Sequence, residues 1–324
     1  MINRYAELLL LIGRLLERAD NYSRVINVYY SMRDELVEEE QGYTWERLAA
    51  AVGDVEEFRR VQPQASEWSV LHYLTFERSN EDSIFSCVQQ ARTHIRTLRP
   101  MLPVELWDII NSFYLWLKEQ EVNKMMPQSP YMFYKRISEW LSMFNGAADS
   151  TMVRGQGWNL VQSGKFLERL NSTVRIIHAT YGNLLKDAKQ LNEEARYNRF
   201  LVLLKSCGGY EAFRKFHAQD VRLAEVTEFL LRNAEFPRSV RFAIDSLASC
   251  VEVNPVVNQS IKTLSIQTSD VLACIRANKQ RYGDNVTEEV QLLLQQLLHS
   301  QGDLGSFIAE ACLQVEEQQD TVEI

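Results

Sequence analysis

Residues 13–28 read GRLLERADNYSRVINV, and residues 164–179 read GKFLERLNSTVRIIHA. The two stretches align without a gap at an offset of 151 residues, the separation of Gly13 and Gly164. The identical pairs are Gly13/Gly164, Leu16/Leu167, Glu17/Glu168, Arg18/Arg169, Arg24/Arg175 and Ile26/Ile177. Similarity at a fixed offset indicates a repeated structural unit. We therefore expect two similar helical halves, residues 1–150 and 151–324, packed about a pseudo-twofold axis, with a frayed acidic tail after Gln314.

A weaker similarity supports the same division of the chain. Tyr73-Leu74 and Ser83-Ile84 correspond to Phe229-Leu230 and Ser239-Val240 at an offset of 156 residues. The repeat is thus expected to extend beyond one helix in each half.

The composition is that of an ordinary globular protein, and it favours helices. The 324 residues are 46% hydrophobic and 24% charged, which excludes a disordered or fibrous chain. The 13 Gly and 7 Pro are too few for the frequent turns of a sandwich, barrel or propeller, so we predict an all-α fold. The apolar periodicity predicts helices at residues 4–38, 44–53, 67–78, 82–98, 103–124, 129–145, 157–186, 189–206, 209–217, 222–232, 238–251, 257–279 and 286–316.

Charge, cysteines and missing motifs narrow the possible functions. The net charge of −8 argues against nucleic-acid binding, which needs an excess of Lys and Arg. The five cysteines are widely spaced and contain no Cys-x-x-Cys, so we expect reduced thiols in a cytoplasmic protein. No uncharged apolar stretch of about 18 residues occurs, so we expect no membrane span. Without a Glu-x-x-His, a His-Glu-x-x-His or a phosphate-binding loop, we expect no metal and no cofactor.

Small and charged residues share one narrow face of each repeated segment. On a helix, Gly13, Glu17 and Arg24 lie within about 40° of one another, and the second repeat places its Gly, Glu and Arg in the same way. Glu17 and Arg24 are about 10.5 Å apart along the axis, which is too far for a direct ion pair within one helix. Each of them therefore needs another partner.

Two interpretations of this face are open. In the structural one, the two helices cross near Gly13 and Gly164, and buried charges pair across the crossing. The expected pairs are Glu17 with Arg175 and Glu168 with Arg24. In the functional one, the same carboxylates and guanidiniums line a central cleft that holds a zwitterionic or anionic ligand.

Two further groups of arginines are candidates for binding an anion. Arg92, Arg96 and Arg99 are spaced to align on one helix face, where they could grip phosphates or an acidic peptide. The alternative is a solvated basic helix end, where positive charge suits the helix dipole. Arg238 follows Phe236-Pro237 at the predicted start of a helix and could contribute to an anion site.

These residues together resemble the bacterial alpha-E domain family. The likeness runs in order along nearly the whole chain, through residues 13–20 (GRLLERAD), 83–92 with Arg96 and Arg99, Trp107 with Asn111, Gly157-Trp158 and 236–240 (FPRSV). The second Glu-Arg motif departs from the Gly-Arg-x-x-Glu-Arg-Ala form, because Lys165 replaces Arg and Leu170 replaces Ala.

The resemblance implies an all-helical cytoplasmic protein that accompanies a circularly permuted ATP-grasp protein and often a transglutaminase-like peptidase. ATP-grasp enzymes form amide bonds through an acyl-phosphate, so the implied setting is the synthesis or modification of peptides or amides. The family's characteristic glutamates would here be Glu17 and Glu168. The candidate residues for binding a partner or ligand are Glu17, Arg18, Arg24, Arg92, Arg96, Arg99, Glu168, Arg169, Arg175 and Arg238.

Three functions remain open on the sequence. The first is an accessory partner of an ATP-grasp amide-ligase system that binds the partner enzyme or its peptide-like substrate through a Glu/Arg cleft. The second is an enzyme of that pathway in which Glu17 or Glu168 is a general base and arginines hold a carboxylate or phosphate. The third is a helical scaffold without a ligand, whose centre would be fully ion-paired.

Overall fold

The protein is almost entirely helical. The computed structural model describes residues 2–33, 41–62, 64–188, 191–217, 221–251, 255–282, 287–302, 304–308 and 310, and no strand occurs in these ranges. The prediction of an all-α fold is therefore confirmed. The helices are α1 (Ile2–Ser31), α2 (Gln41–Val52), α3 (Val55–Val61), α4 (Glu67–Thr75), α5 (Ile84–Thr97), α6 (Val104–Lys118), α7 (Val122–Gln128), α8 (Pro130–Thr151), α9 (Gln156–Lys186), α10 (Glu193–Ser206), α11 (Tyr210–Phe216), α12 (Leu223–Arg232), α13 (Val240–Cys250), α14 (Pro255–Tyr282) and α15 (Glu288–His299).

The structure departs from the predicted helices at several points, and the predicted helix at residues 286–316 is interrupted where α15 ends at His299. The short helix α3 was not predicted, although Asp54 caps it by accepting hydrogen bonds from the backbone N–H groups of Glu56 and Glu57. The predicted helix at residues 103–124 is divided into α6 and α7, and α7 buries Val122 and Met125 where it packs against α4 and α8. The predicted acidic tail after Gln314 lies outside the described residues.

The helices α1 and α9 form the centre of the fold. They pack against each other, and α1 also contacts α2, α5, α8 and α10, whereas α9 contacts α2, α10, α13 and α15. Burial of apolar side chains drives this arrangement, because Ala19, Val25 and Ile26 of α1 are completely buried. One hydrophobic cluster extends from Ala6 to Ile308, so residues on both sides of position 150 contribute to a shared core.

The two central helices cross at a pair of glycines. A Cβ added to Gly13 would lie 2.0 Å from the carbonyl oxygen of Val161, and a Cβ added to Gly164 would lie 2.0 Å from the carbonyl oxygen of Leu10. Any larger side chain would therefore push the two backbones apart. The predicted close crossing at Gly13 and Gly164 is confirmed.

The described ranges contain no disulfide bond and no transmembrane helix. Cys87 and Cys207 are buried free thiols, and Cys250 and Cys274 are free and partly exposed. No described helix has the length and apolar character needed to cross a bilayer.

The close crossing predicts that a single methyl group added at Gly13 lowers the stability of the protein strongly. Replacing Gly13 by Ala should lower the free energy of unfolding by about 2–4 kcal/mol, because the methyl group meets backbone atoms that cannot move without separating α1 from α9. Denaturation in urea, followed by circular dichroism, measures this change.

The matched control is Gly146→Ala on α8. No atom lies within 4 Å of a Cβ at this position, so the substitution should stabilise the helix by about 0.5–1 kcal/mol. Equal effects at the two glycines would contradict the close crossing.

Candidate functional site

Glu17 is held by two arginines from the second half of the chain. The Nε and Nη2 atoms of Arg169 donate to its two carboxylate oxygens at 2.7 and 2.8 Å. Nη1 of Arg238 also donates to Oε1 at 2.9 Å. Glu17 is only 4% exposed, so a bidentate pair and a second guanidinium compensate the loss of its hydration.

Glu168 is held in the same way by arginines from the first half. Arg18 donates from Nε and Nη2 to its two oxygens at 2.7 and 2.9 Å, and Arg14 donates from Nε at 3.2 Å. Arg18 also forms an ion pair with Asp82, which lies just before the N-cap of α5. Glu168 is 4% exposed as well. The two halves are thus linked by reciprocal Glu–Arg pairs, which together we call the Glu/Arg centre.

The expected pairing of Glu17 with Arg175 is wrong, although pairing across the crossing is correct. Glu17 lies about 6 Å past Gly13 along α1, and Arg169 lies about 7.5 Å past Gly164 along α9, so the two side chains meet. Arg175 lies about 16 Å past Gly164, which is too far from Glu17. The same geometry explains why Glu168 pairs with Arg18 and not with Arg24.

Arg24 belongs to the network through Asp20. Its Nη1 donates to Asp20 at 2.7 Å, its Nη2 to Asn21 at 2.7 Å and its Nε to the carbonyl oxygen of Ser206 at 2.8 Å. Nη2 of Arg238 donates to the same carboxylate of Asp20 at 2.7 Å. Asp20 therefore joins Arg24 to the guanidinium that also holds Glu17.

Arg238 reaches the centre from the segment before α13. The helix begins at Val240, and the Ser239 side chain caps it by accepting a hydrogen bond from the backbone N–H of Phe242. Arg238, expected at the start of the helix, therefore lies before its N-cap.

The electrostatics of the Glu/Arg centre keep its carboxylates ionised. Burial raises the pKa of Glu17, but the charges of Arg169 and Arg238 outweigh this effect and lower the pKa to about 2. The pKa of Glu168 is also lowered, because Arg18 and Arg14 outweigh burial. A carboxylate with such a low pKa is a poor proton acceptor near neutral pH.

Only part of the predicted arginine stripe, which consists of Arg92, Arg96 and Arg99, is free of contacts within the protein. Nε of Arg92 donates to Asn111 of α6 at 2.8 Å, and its guanidinium lies over the rings of Trp107 and Tyr114. The guanidinium of Arg99 lies 5.4 Å from the centre of the Trp107 ring. Arg96 and Arg99 are both exposed. One end of the stripe therefore holds α5 against α6, and the other end faces solvent.

Sequence reasoning missed the acidic members of the network. Asp20 lies four residues before Arg24, and this spacing on a helix could have indicated the pair. Asp82 gave no comparable signal, since its contact with Arg18 depends on how α5 packs against α1. Arg14 matches Lys165 in charge only, and Lys165 donates to Asn145 at 3.0 Å instead of to a carboxylate.

Removing the charge of Glu17 should destabilise the protein. Gln at this position keeps the shape but leaves Arg169 and Arg238 without their buried carboxylate. We expect the free energy of unfolding of Glu17→Gln to fall by about 3–5 kcal/mol. Equilibrium denaturation in urea measures the change.

Glu139→Gln is the matched control, because Glu139 is exposed and pairs with Arg136 on the same helix. Its effect should stay below about 0.5 kcal/mol. An unchanged stability of Glu17→Gln would instead favour a ligand-binding role for this carboxylate.

The low pKa of Glu17 also predicts a dependence of stability on pH. The unfolded carboxyl has an ordinary pKa of 4.5 and the folded one a pKa of about 2, so its contribution is complete above pH 4.5 and is lost as the pH falls toward 2. The difference in unfolding free energy between wild type and Glu17→Gln should shrink by more than about 1 kcal/mol between pH 6 and pH 3.5. Urea denaturation of both proteins at a series of pH values tests this, and a constant difference would contradict it.

Comparison with known proteins identifies the family of this chain but does not indicate an activity. Residues 1–313 match the Alpha-E family, which is described as a predicted alpha-helical domain with a conserved ER motif. Relatives among the curated proteins include uncharacterized proteins of Mycobacterium bovis and Mycobacterium tuberculosis, each 23% identical over 253 residues. The match covers 73% of this chain but spans only 28% of each of these relatives. No solved structure matches the chain.

The family description agrees with the geometry of the centre. Glu-Arg pairs occur at residues 17–18 and 168–169, and each Glu is bound by the Arg of the other pair. Because the match extends over residues 1–313 of 324, the chain belongs to the Alpha-E family.

Proposed function

We propose that this protein is a non-catalytic accessory unit of an ATP-grasp-linked system that makes or modifies peptide or amide bonds. It binds the partner enzyme or its peptide-like substrate, and the resemblance in sequence suggests a circularly permuted ATP-grasp protein and a transglutaminase-like protein as partners. The observation that carries the non-catalytic role is the closed Glu/Arg centre. Both oxygens of Glu17 and both oxygens of Glu168 already accept hydrogen bonds from guanidiniums.

The alternative of an enzyme with Glu17 or Glu168 as general base is less well supported. A general base needs a free oxygen within reach of the substrate and a pKa near the working pH. Glu17 has a pKa of about 2, and both carboxylates are buried under their arginines. Their geometry suits a structural clamp between α1 and α9.

The length of the relatives supports an accessory role. The matched segment is 28% of each relative, so in those proteins the Alpha-E unit is part of a much longer chain. A helical unit joined to other segments is consistent with a protein that works within a larger assembly. Those relatives carry no description of their activity.

We further propose that residues 1–150 and 151–324 are similar halves related by a pseudo-twofold axis. The reciprocal approach of Gly13 and Gly164 supports this, as do the reciprocal Glu–Arg pairs. The weaker repeat supports it too, since Ser83 caps α5 and Ser239 caps α13 through the same kind of hydrogen bond. In this arrangement the Glu/Arg centre fixes one half against the other.

The contact with the partner would lie outside the closed centre. Arg96 is exposed on α5 and Arg99 is exposed just after this helix, which ends at Thr97. The side chain of Arg96 forms no ion pair or hydrogen bond within the described part of the chain. Two neighbouring guanidiniums can grip an acidic peptide or a phosphate. We therefore assign partner binding to this end of the stripe. A scaffold without a ligand is the second candidate, because it too would have a fully paired centre.

Affinity purification from the native host separates these two functions. The tagged wild-type protein should retain an ATP-grasp protein, identified by mass spectrometry. The double variant Arg96→Glu/Arg99→Glu should lose it while its circular dichroism spectrum stays unchanged, because both side chains are exposed.

The control is Arg60→Glu/Lys262→Glu, which makes the same change of charge at two exposed positions on α3 and α14. This variant should retain the partner as wild type does. Absence of any ATP-grasp protein from the wild-type sample would contradict the proposed association and favour the scaffold. Equal retention by both variants would show that the stripe is not the contact.

A further inference from the structure

A second polar cluster lies in a cleft of about 540 Å³, away from the Glu/Arg centre. The cleft is formed by the junction of α2 and α3, the C-terminal half of α9 and helix α15. Small-molecule sites in proteins have volumes of about 300–1,000 Å³, so this cleft has room for a ligand larger than a single ion. Its polar side chains include Asn171, Arg175, His178, Lys186, Gln291 and His299.

Two cationic side chains of this cleft have no ion-pair partner among the described residues. The side chains of Arg175 and Lys186 form no ion pair and no hydrogen bond within the described ranges, although both line the cleft. Asp54 is the carboxylate among the described lining residues; its Oδ1 caps α3, and it forms no ion pair with Arg175 or Lys186. A guanidinium and an ammonium therefore face the same space with their donors free.

Two imidazoles and an amide add further polar groups. Nε2 of His178 lies 2.8 Å from Nε2 of Gln291, and His299 lines the same cleft. Oε1 of Gln291 is buried and has no hydrogen-bond partner in the described part of the chain. Burial, followed by the charges of Arg175 and His299, lowers the pKa of His178. A bound anion would oppose the effect of these charges and raise that pKa.

A second cleft has a related lining, but its arginine is paired with a carboxylate. Its lining includes five residues of α1 and the following Met32. These six positions correspond at an offset of 151 to six lining residues of α9, from Asn171 to Asn183. In the α1 cleft, Asp20 accepts hydrogen bonds from both Arg24 and Arg238 and so gives Arg24 a counter-ion.

In the α9 cleft, the position of that carboxylate is taken by the neutral Asn171, four residues before Arg175. The same arginine position thus has a counter-ion at Arg24, whereas at Arg175 no described residue forms an ion pair with it.

We propose that the α9 cleft binds the oxyanion group of a small molecule, either a phosphate or a carboxylate, with Arg175 as the main ligand. Arg is suited to this task because its planar guanidinium can form two parallel hydrogen bonds to either group. Lys186 adds a second positive charge, and His178 and Gln291 supply polar groups beside it. This site is separate from the partner contact on α5, and it can be tested without any partner protein.

Nuclear magnetic resonance of the histidine rings tests the site directly. Inorganic phosphate and succinate are titrated separately into the full-length protein at constant ionic strength, set with potassium chloride. The signals of His178 and His299 should shift saturably with at least one of the two probes. His72, His94 and His217 do not line the cleft and serve as internal references. Saturation by phosphate alone assigns the site to phosphorylated compounds, and saturation by succinate alone assigns it to carboxylates.

Two variants make the test specific. Arg175→Gln should weaken binding at least about tenfold and leave the fold intact, since Arg175 forms no ion pair with any residue that the structure describes. Asn171→Asp should do the same by giving Arg175 the counter-ion that Asp20 gives Arg24. Gln259→Glu, which adds the same charge at an exposed position on α14, should bind as wild type does.

The absence of a saturable shift in wild type with both probes would overturn the proposal. Unchanged affinity in Arg175→Gln would overturn it as well, because the anion would then bind elsewhere. Failure of this experiment leaves the purification of the partner unaffected, so the two proposals can fail separately.

Discussion

Two glutamates buried where α1 crosses α9 constrain the rest of the structure. Gly13 and Gly164 let the backbones approach so closely that Glu17 and Glu168 are 4% exposed, and a charge at such a depth must be paired and hydrogen-bonded. Each carboxylate takes its bidentate partner from the other helix, so shifting one helix along the other would break both pairs at once. Because apolar side chains of similar volume could often replace such pairs without loss of stability, their best-supported role here is to select one arrangement of the two halves.

Because of this constraint, some arginines of the repeated segments have a structural role, whereas Arg175 is available to bind a ligand. The arginines of the Glu/Arg centre are occupied by Glu17 and Glu168, and Arg24 is occupied by Asp20. Arg175 lies beyond the centre, and the residue four positions before it on α9 is the neutral Asn171, not a carboxylate. A repeated sequence can therefore keep the residues that join its halves and differ at the positions that line its clefts. On this view the closed centre organises the molecule, and the outer surfaces carry its interactions.

The sequence predicted the helices and their crossing better than it predicted which charged residues pair with each other. The similar stretches at residues 13–28 and 164–179 predicted two helices, and one of the two interpretations of their shared face was a glycine crossing with charges paired across it. The partners were wrong because helical spacing places Glu17 and Arg24 on one face but does not say how far along the facing helix each contact falls. Asp82 could not have been predicted, since its contact with Arg18 depends on tertiary packing. The sequence likewise could not show that Arg175 lacks an ion-pair partner in the described part of the chain, because this required comparing the linings of the two clefts.

A double-mutant cycle on Glu17 and Arg169 tests the central claim most directly. The free energies of unfolding of wild type, Glu17→Gln, Arg169→Gln and the double variant give the interaction energy of the pair, apart from the effects that each substitution has on its other neighbours. A clamp between α1 and α9 predicts an interaction energy of about 2 kcal/mol or more, because both partners are buried and the contact is bidentate. An interaction energy within about 0.5 kcal/mol of zero would mean that the two substitutions act independently. That result would contradict the claim that the buried Glu–Arg pairs hold the two halves together.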